Sequence, residues 1–321
     1  MLAALADGAA HSGSELGGRL GLTRAAVWKQ VARLRGLGLE VEAQPGAGYR
    51  LAVPFDALDR AAIHSALPPA LRARMGPPAL HWQVDSTSSE LLRNAATGAA
   101  DLACCLAEVQ SAGRGRRGRD WRMPLGGGLA LSLLKRFDRG MAALAGLSLV
   151  AGIAACEALA DTGVGAVGLK WPNDLVAADA KLGGILVELG GDALGPCHAV
   201  IGIGLNLRLG DAAIAAIGQP CTDFARLAGA VPSRNALAAH LLARLVPALE
   251  RFDRDGFAPF APAFDALDAL RGRELRVTRA GDARGADGIA CGVDARGALR
   301  VRFADGERSI DSGELSVRAR A

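Results

Sequence analysis

One stretch constrains the fold more than any other. Residues 102–110 (LACCLAEVQ) and 129–137 (LALSLLKRF) are strand-like, and between them runs SAGRGRRGRDWRMPLGGG. GRGRRG, at 113–118, fits G-x-G-x-x-G. A dinucleotide turn must open a crossover helix. Here Pro124 and three glycines intervene and the next strand follows at once, although Asp138 stands at a plausible distance for a ribose carboxylate. A P-loop needs lysine and then serine or threonine after Gly118, where the chain has Arg119-Asp120. GVGAVG (163–168) has the same spacing but leaves a helix and enters a strand, the reverse order. Three readings of the loop stay open: a solvated basic loop, a nucleic-acid patch with Trp121 stacking on a base, or a flap over a nucleotide. In the last, glycines let the backbone wrap and arginine forks neutralise phosphate oxygens.

A length of 321 residues suggests about two or three domains. The net charge of +4 excludes a basic coat but allows a local basic site. The six cysteines contain no C-x-x-C pair, so buried free thiols are expected rather than a zinc site or disulfide framework. With neither a signal-peptide core nor about 18 uninterrupted apolar residues, the expectation is a cytoplasmic protein with no membrane partner.

In the first fifty residues, LAALADG, SELGGRLGL capped by Ser12 or Ser14, and TRAAVWKQVARLRGLG capped by Thr23 predict three short helices. LEVEAQPGAGYRL then predicts a hairpin about Pro45–Gly48. This is the plan of a winged helix-turn-helix, expected over 1–55. Val27, Val31 and Leu34 define the core face of the third helix; Lys29 and Arg33 wind to the other side with the small Ala25 and Ala32. Arg24, Lys29 and Arg33 are the candidate contacts to operator DNA. The alternative is a helical unit that docks on the chain or on another protein.

Residues 56–79 read as a linker, with Asp56 capping the helix DALDRAAIHSAL and prolines 68, 69, 77 and 78 breaking regular structure. A mixed α/β domain is expected over 80–271, including one long buried helix, MAALAGLSLVAGIAACEALADTG. From 272 to 321 the alternating runs ELRVTRA, GIACGVD, GALRVRF and ERSIDSGEL predict a small β-barrel. The fold class expected is α+β.

DSTSSE (85–90), EVQSAGRGRRGRDW (108–121), KWPND (170–174), KLGGILVE (181–188) and GIGLN (202–206) occur in that order. Together they resemble the biotin protein ligase family. With the winged helix and the C-terminal β module the likeness spans nearly the whole chain, in the bifunctional ligase and biotin-responsive repressor form. TRAA (23–26) is similar to the start of that form's reader helix.

The resemblance implies a class II synthetase-like central domain, an SH3-like C-terminal barrel and the substrates biotin and ATP with Mg²⁺. Biotin is activated to biotinyl-5′-AMP and transferred to a lysine of the biotin carboxyl carrier protein of acetyl-CoA carboxylase. It implies Lys181 and Arg116 as the catalytic pair, and biotin contacts from Ser86, Thr87, Ser88, Gln110, Arg114 and Gly115 besides that pair. Serine stands at 88 where the family often has asparagine. Arg117, Arg119, Trp121, Lys170, Asn173 and Asn206 are implied at the ATP or adenylate, and Asp174 at Mg²⁺. Read alone, KWPND is equally a β-turn with Asn and Asp as turn formers. The family further implies a ligand-promoted homodimer. Rival expectations are a lipoate or octanoate protein ligase, which lacks this arginine loop and needs no Ser/Thr/Gln set for a ureido ring, and a biotin-sensing repressor without ligase activity.

Overall fold

The computed structural model describes residues 1–44, 46–279, 285–311 and 315–319. Pro45, in the expected hairpin turn, and 312–314, in the expected last strand, lie outside them.

Helices α1 (Leu2–Leu5), α2 (Gly13–Leu20) and α3 (Arg24–Gly36) precede the hairpin β1 (Val41–Gln44) and β2 (Gly48–Leu51). Ser12 Oγ accepts the Glu15 N–H and Thr23 Oγ1 the Ala26 N–H, so both polar caps satisfy donors at helix starts. Val27, Val31 and Leu34 close on Leu5, Leu16, Val41 and Leu51 in a separate small core.

Helices α4 (Arg60–Ala66) and α5 (Pro69–Arg72) follow. Asp59, not Asp56, caps α4, accepting from Ala61 and Ala62. Asp56 instead accepts the Arg234 backbone N–H. The prolines do not exclude all helix, since Pro69 at the first position of α5 needs no donor there.

The central sheet has order β3-β4-β5-β9-β8-β7-β6. Its strands are β3 (Ala79–Val84), β4 (Cys104–Gln110), β5 (Gly128–Phe137), β6 (Gly168–Lys170), β7 (Asp174–Ala177), β8 (Ala180–Gly191) and β9 (Cys197–Asn206). Only β3–β4 is parallel, joined by α6 (Thr87–Ala96); β4 and β5 run antiparallel, as the missing crossover helix requires. Alternation along β5 sends Leu129, Leu131 and Leu133 into the main core and Leu134 into a second cluster with Leu91, Ala95, Cys105 and Val200. Against the main face lies α7 (Leu147–Ala160), buried nearly all round. The expected long helix breaks at Gly146, whose φ of +85° and contact with the Phe257 ring leave no place for a side chain.

Beyond β9 come α8 (Asp211–Ile217), α9 (Phe224–Ala228), α10 (Arg234–Asp255) and α11 (Ala261–Leu267), with α10 packed on α7. Strands β10 (Glu274–Arg279), β11 (Ala286–Val293), β12 (Leu299–Phe303), β13 (Gly306–Ile310) and β14 (Leu315–Ala319) form an antiparallel sheet of order β13-β12-β11-β10-β14. Trp171 Nε1 donates to Gly297 O at 3.1 Å, tying this sheet to the central one. All six cysteines are free thiols. Among the described residues no helix is long and apolar enough to cross a membrane, and no group of three or more His, Cys, Asp or Glu could hold a metal ion.

Candidate active site

The antiparallel register gathers the end of β4, the start of β5, the end of β9 and the start of β8 at one end of the sheet, with β7 beside them. Gln110, Gly204–Asn206, Lys181 and Asp174 therefore meet although they are far apart in sequence. They open on the α6 side of the sheet.

The α6 end of this site is hydroxyl-rich. Ser86, Thr87 and Ser88 are buried at the cap and first turn of α6. Gln110 Oε1 accepts from Thr87 N at 2.8 Å and Thr87 Oγ1 at 3.2 Å. Ser132 of β5, fully buried, lies 2.8 Å from Thr87 Oγ1 and 3.0 Å from Ser88 Oγ. Ser132 was not foreseen from sequence. Its one signal there is a lone hydroxyl in the apolar run GLALSLLKRF.

The β8 end is cationic. Lys181 Nζ lies 2.6 Å from Asp174 Oδ1 and 5.7 Å from the centre of the Trp121 ring. The lysine backbone is pinned: its N–H donates to Pro220 O, and its carbonyl accepts from Thr222 N and the buried Asn206 amide. Asn206 thus supports Lys181 rather than presenting itself to solvent. The Trp121 indole covers Gly204 so closely that a Cβ there would lie 2.5 Å from its ring, so only glycine permits this stacking. Trp121 Nε1 is buried with no hydrogen-bond partner among the described residues.

The arginine loop folds back between these two ends. Gly115 N donates to Arg119 O at 2.7 Å and Trp121 N to Gly113 O at 2.8 Å, making a tight hairpin. At its tip Arg117 takes a left-handed φ of +59°, a conformation disfavoured for a residue with a Cβ. Arg116 Nη1 donates to Asn173 Oδ1 at 3.2 Å. Burial, and then the neighbouring Arg117 charge, lower the Arg116 pKa, while Asp174 opposes the shift. Arg114 pairs with Glu188 of β8 at 2.7 Å, and Arg119 faces solvent. Asn173 also donates to Ile185 O at 2.9 Å, so KWPND is both a turn and a strut under Arg116. Lys170 is half-buried at the end of β6, paired in register with Asp174.

A second cationic face lies on α3. Arg24, Lys29 and Arg33 are exposed, and among the described residues none of them makes an ion pair. Trp28, 60% exposed beside Lys29, was not singled out from sequence and is the largest apolar group on that helix surface.

Comparison with known proteins agrees with this geometry. Residues 83–206 match the biotin/lipoate A/B protein ligase family, and residues 1–50 match an HTH domain. The bifunctional ligase/repressor BirA of Salmonella typhimurium is 40% identical over 320 residues, covering 99% of this chain and 97% of that protein. The biotin–[acetyl-CoA-carboxylase] ligase of Paracoccus denitrificans is 36% identical over 239 residues, 73% of this chain and 97% of that one. The biotin protein ligase of Aquifex aeolicus in complex with biotin and ATP superposes with a TM-score of 0.63 at 26% identity, over 75% of this chain and 98% of that one. The chain belongs to the biotin/lipoate A/B protein ligase family, among its bifunctional ligase/repressor members.

Proposed function

We infer that this protein is an ATP-dependent, AMP-forming biotin protein ligase that is also a biotin-responsive DNA-binding repressor. The observation that carries the ligase reading is one site with a buried hydroxyl and amide set at one end and Lys181 with Arg116 at the other. Biotin matches that polarity, with a ureido ring at one end and a carboxylate at the other.

In the first step a biotin carboxylate oxygen bonds to the α-phosphorus of ATP and pyrophosphate leaves. Two anions must approach, so fixed cations at the meeting point lower the barrier, more strongly where water is excluded. Lys181 and Arg116 fill that role, and Asn173 holds the guanidinium in place. The loop, with Arg114 and Gly115 over biotin and Arg117, Arg119 and Trp121 toward the nucleotide, retains the mixed anhydride. In the second step the lysine amine of a biotin carboxyl carrier domain attacks the acyl carbon, the C–O bond to phosphate breaks, AMP departs and the nitrogen loses a proton.

Asp174 offers one carboxylate already engaged by Lys181. That suits an ion such as Mg²⁺, which keeps its waters and takes its other ligands from ATP, rather than a protein cage. Bound there, it would neutralise phosphate charge.

For the repressor, 1–55 is assigned as the DNA-binding unit, 56–79 as linker, 80–271 as a class II synthetase-like catalytic domain and 272–321 as an SH3-like module. Leu125, just after the arginine loop, donates its N–H to Leu37 O at the end of α3, which supports coupling between ligand and reader helix. Beyond Ile185 the outer edge of β8 pairs with no strand among the described residues, and Leu189 is 41% exposed there. That edge suits a homodimer, and the Arg114–Glu188 pair links it to the loop. Linkage requires the adenylate to bind the dimer more tightly than the monomer. A cytoplasmic setting fits this chemistry.

The deciding experiment is ATP–pyrophosphate exchange with Mg²⁺, run with biotin, lipoate and octanoate. Exchange with biotin alone supports the reading. Exchange with lipoate or octanoate but not biotin overturns it.

A further inference from the structure

The hydroxyl set has a proton order that its partners fix. Gln110 Oε1 only accepts, and it takes both the Thr87 backbone N–H and the Thr87 hydroxyl proton. Thr87 has then no proton left for Ser132, so across the 2.8 Å contact Ser132 donates. Ser132 has in turn spent its only proton, so across 3.0 Å Ser88 donates to Ser132. All three hydroxyl protons point one way, from Ser88 through Ser132 and Thr87 to Gln110. The wall is left with unused lone pairs on Ser88 and Thr87, and with the Gln110 amide hydrogens beside Gly113 as donors.

We propose that Ser132 is a positioning residue for substrate choice: it carries this proton order from Gln110 and Thr87 on to Ser88 and so makes the pocket complementary to a cyclic urea. Two ring N–H groups meet lone pairs and the ring carbonyl meets an amide donor. A dithiolane ring or a plain alkyl chain offers neither and leaves the buried wall unpaired, which a hydrogen-bonding site discriminates against strongly. Ser132 acts through Thr87 and Ser88, because it touches both hydroxyls and is itself fully buried. Without it Ser88 keeps a loose proton and can turn into the wrong polarity, while Thr87, its own proton still held by Gln110, loses the donor that occupied one of its lone pairs.

This inference rests on the biotin-ligase reading and deepens it. The test is steady-state exchange on the full chain for wild type, Ser132→Ala and Ser132→Cys, with direct calorimetric titration of biotin. For Ser132→Ala, KM and Kd for biotin should rise about tenfold, the effect of unmaking a buried hydrogen-bond partner. The kcat should stay within about twofold, and preference for biotin over lipoate should shrink in parallel. Ser132→Cys, which keeps a weak donor of similar shape, should fall between. A merely structural role would lower the amount of active enzyme without moving KM. Wild-type KM in both variants, or a loss confined to kcat, overturns the role of Ser132. A wild type that exchanges with lipoate or octanoate and not with biotin sinks the underlying reading instead.

Discussion

Lys29 on α3 and Lys181 on β8 carry the same ammonium group in opposite surroundings. Lys29 is exposed beside Arg33, Ala25 and Ala32, with no ion pair among the described residues. Lys181 has a side chain only 17% exposed, lies against an indole, and touches a carboxylate at 2.6 Å. On the proposed function, the difference follows from what each charge has to meet. A cation that receives a nucleic-acid phosphate gains by staying hydrated, because binding then releases counterions from the polyanion. A cation that must act in a dry pocket needs a resident counterion, since a desolvated lone charge costs more than the fold can supply. Asp174 is that counterion for Lys181 and the Asn173 carbonyl serves the half-buried Arg116, whereas Arg114, paired with Glu188, is itself exposed. On the proposed function, incoming carboxylate and phosphate would take Lys181 and Arg116 over from these resident partners.

The widest split between the two surfaces is expected from removing each lysine. Lys181→Ala should lower kcat for biotin-dependent exchange by about 10²–10³, the typical loss of one preorganised electrostatic group, while leaving DNA binding without biotin unchanged. Lys29→Ala should leave exchange at the wild-type rate. If both variants exchanged equally well, the division of labour drawn here would collapse.

Arg116→Gly sharpens the comparison within the loop. Removing a charge-assisted bond to the adenylate should speed its release about ten- to a hundredfold, read by trapping biotinyl-adenylate after dilution. Adenylate formation should suffer less than in Lys181→Ala. Retention at the wild-type rate would mean that the loop shields nothing.

On the reader face the effect is smaller. Lys29→Ala should weaken operator binding roughly uniformly across sequences and reduce the slope of log affinity against log salt by about one. A slope unchanged from wild type would remove Lys29 from the interface.

Much of this was legible in the chain because local chemistry set it. The caps at Ser12 and Thr23 follow from side chains that satisfy donors at helix starts, and the core face of α3 follows from its period. The arginine loop was readable as a non-dinucleotide turn because no helix fits after it. Other features depend on partners distant in sequence. Arg234 and Glu108 form a buried pair at 2.7 Å that also holds the linker, with Leu58 N donating to Glu108 and Asp56 O accepting from Arg234. Nothing local marks residues 126 positions apart as partners. Asp56 as a cap failed for that reason: Arg234 claims it and Asp59 is free to cap. Ser132 was hidden because its meaning comes from two hydroxyls on α6, more than forty positions away in sequence.

The smallest expected effect lies in the DNA-binding unit and is read by pH. His11 sits between Asp7 and Glu15, four residues away on either side, with ring nitrogens 3.1 and 3.0 Å from their carboxylates. Hydrogen bonds to Glu15, then Asp7, raise its pKa above the ordinary 6.5. The histidine contribution is therefore complete below pH 6.5 and fades as pH climbs through the raised value. The two carboxyls have lowered pKa values, Asp7 through the Ala9 N–H and then His11, Glu15 through His11. Their contribution is present above their ordinary 3.8 and 4.5 and fades only as pH falls through the lowered values. Of these three groups only the histidine titrates between pH 6 and 8, so their contribution to the stability of this unit should drift down across that range. Both carboxylates are about half exposed, so solvent screens the interaction and the shift in melting midpoint should be only on the order of a degree or two. His11→Gln should flatten the drift while leaving exchange activity untouched, and the His11 ring resonance should titrate above 6.5. An upward drift, or a ring that titrates below 6.5, would show that the two carboxylates do not hold the proton.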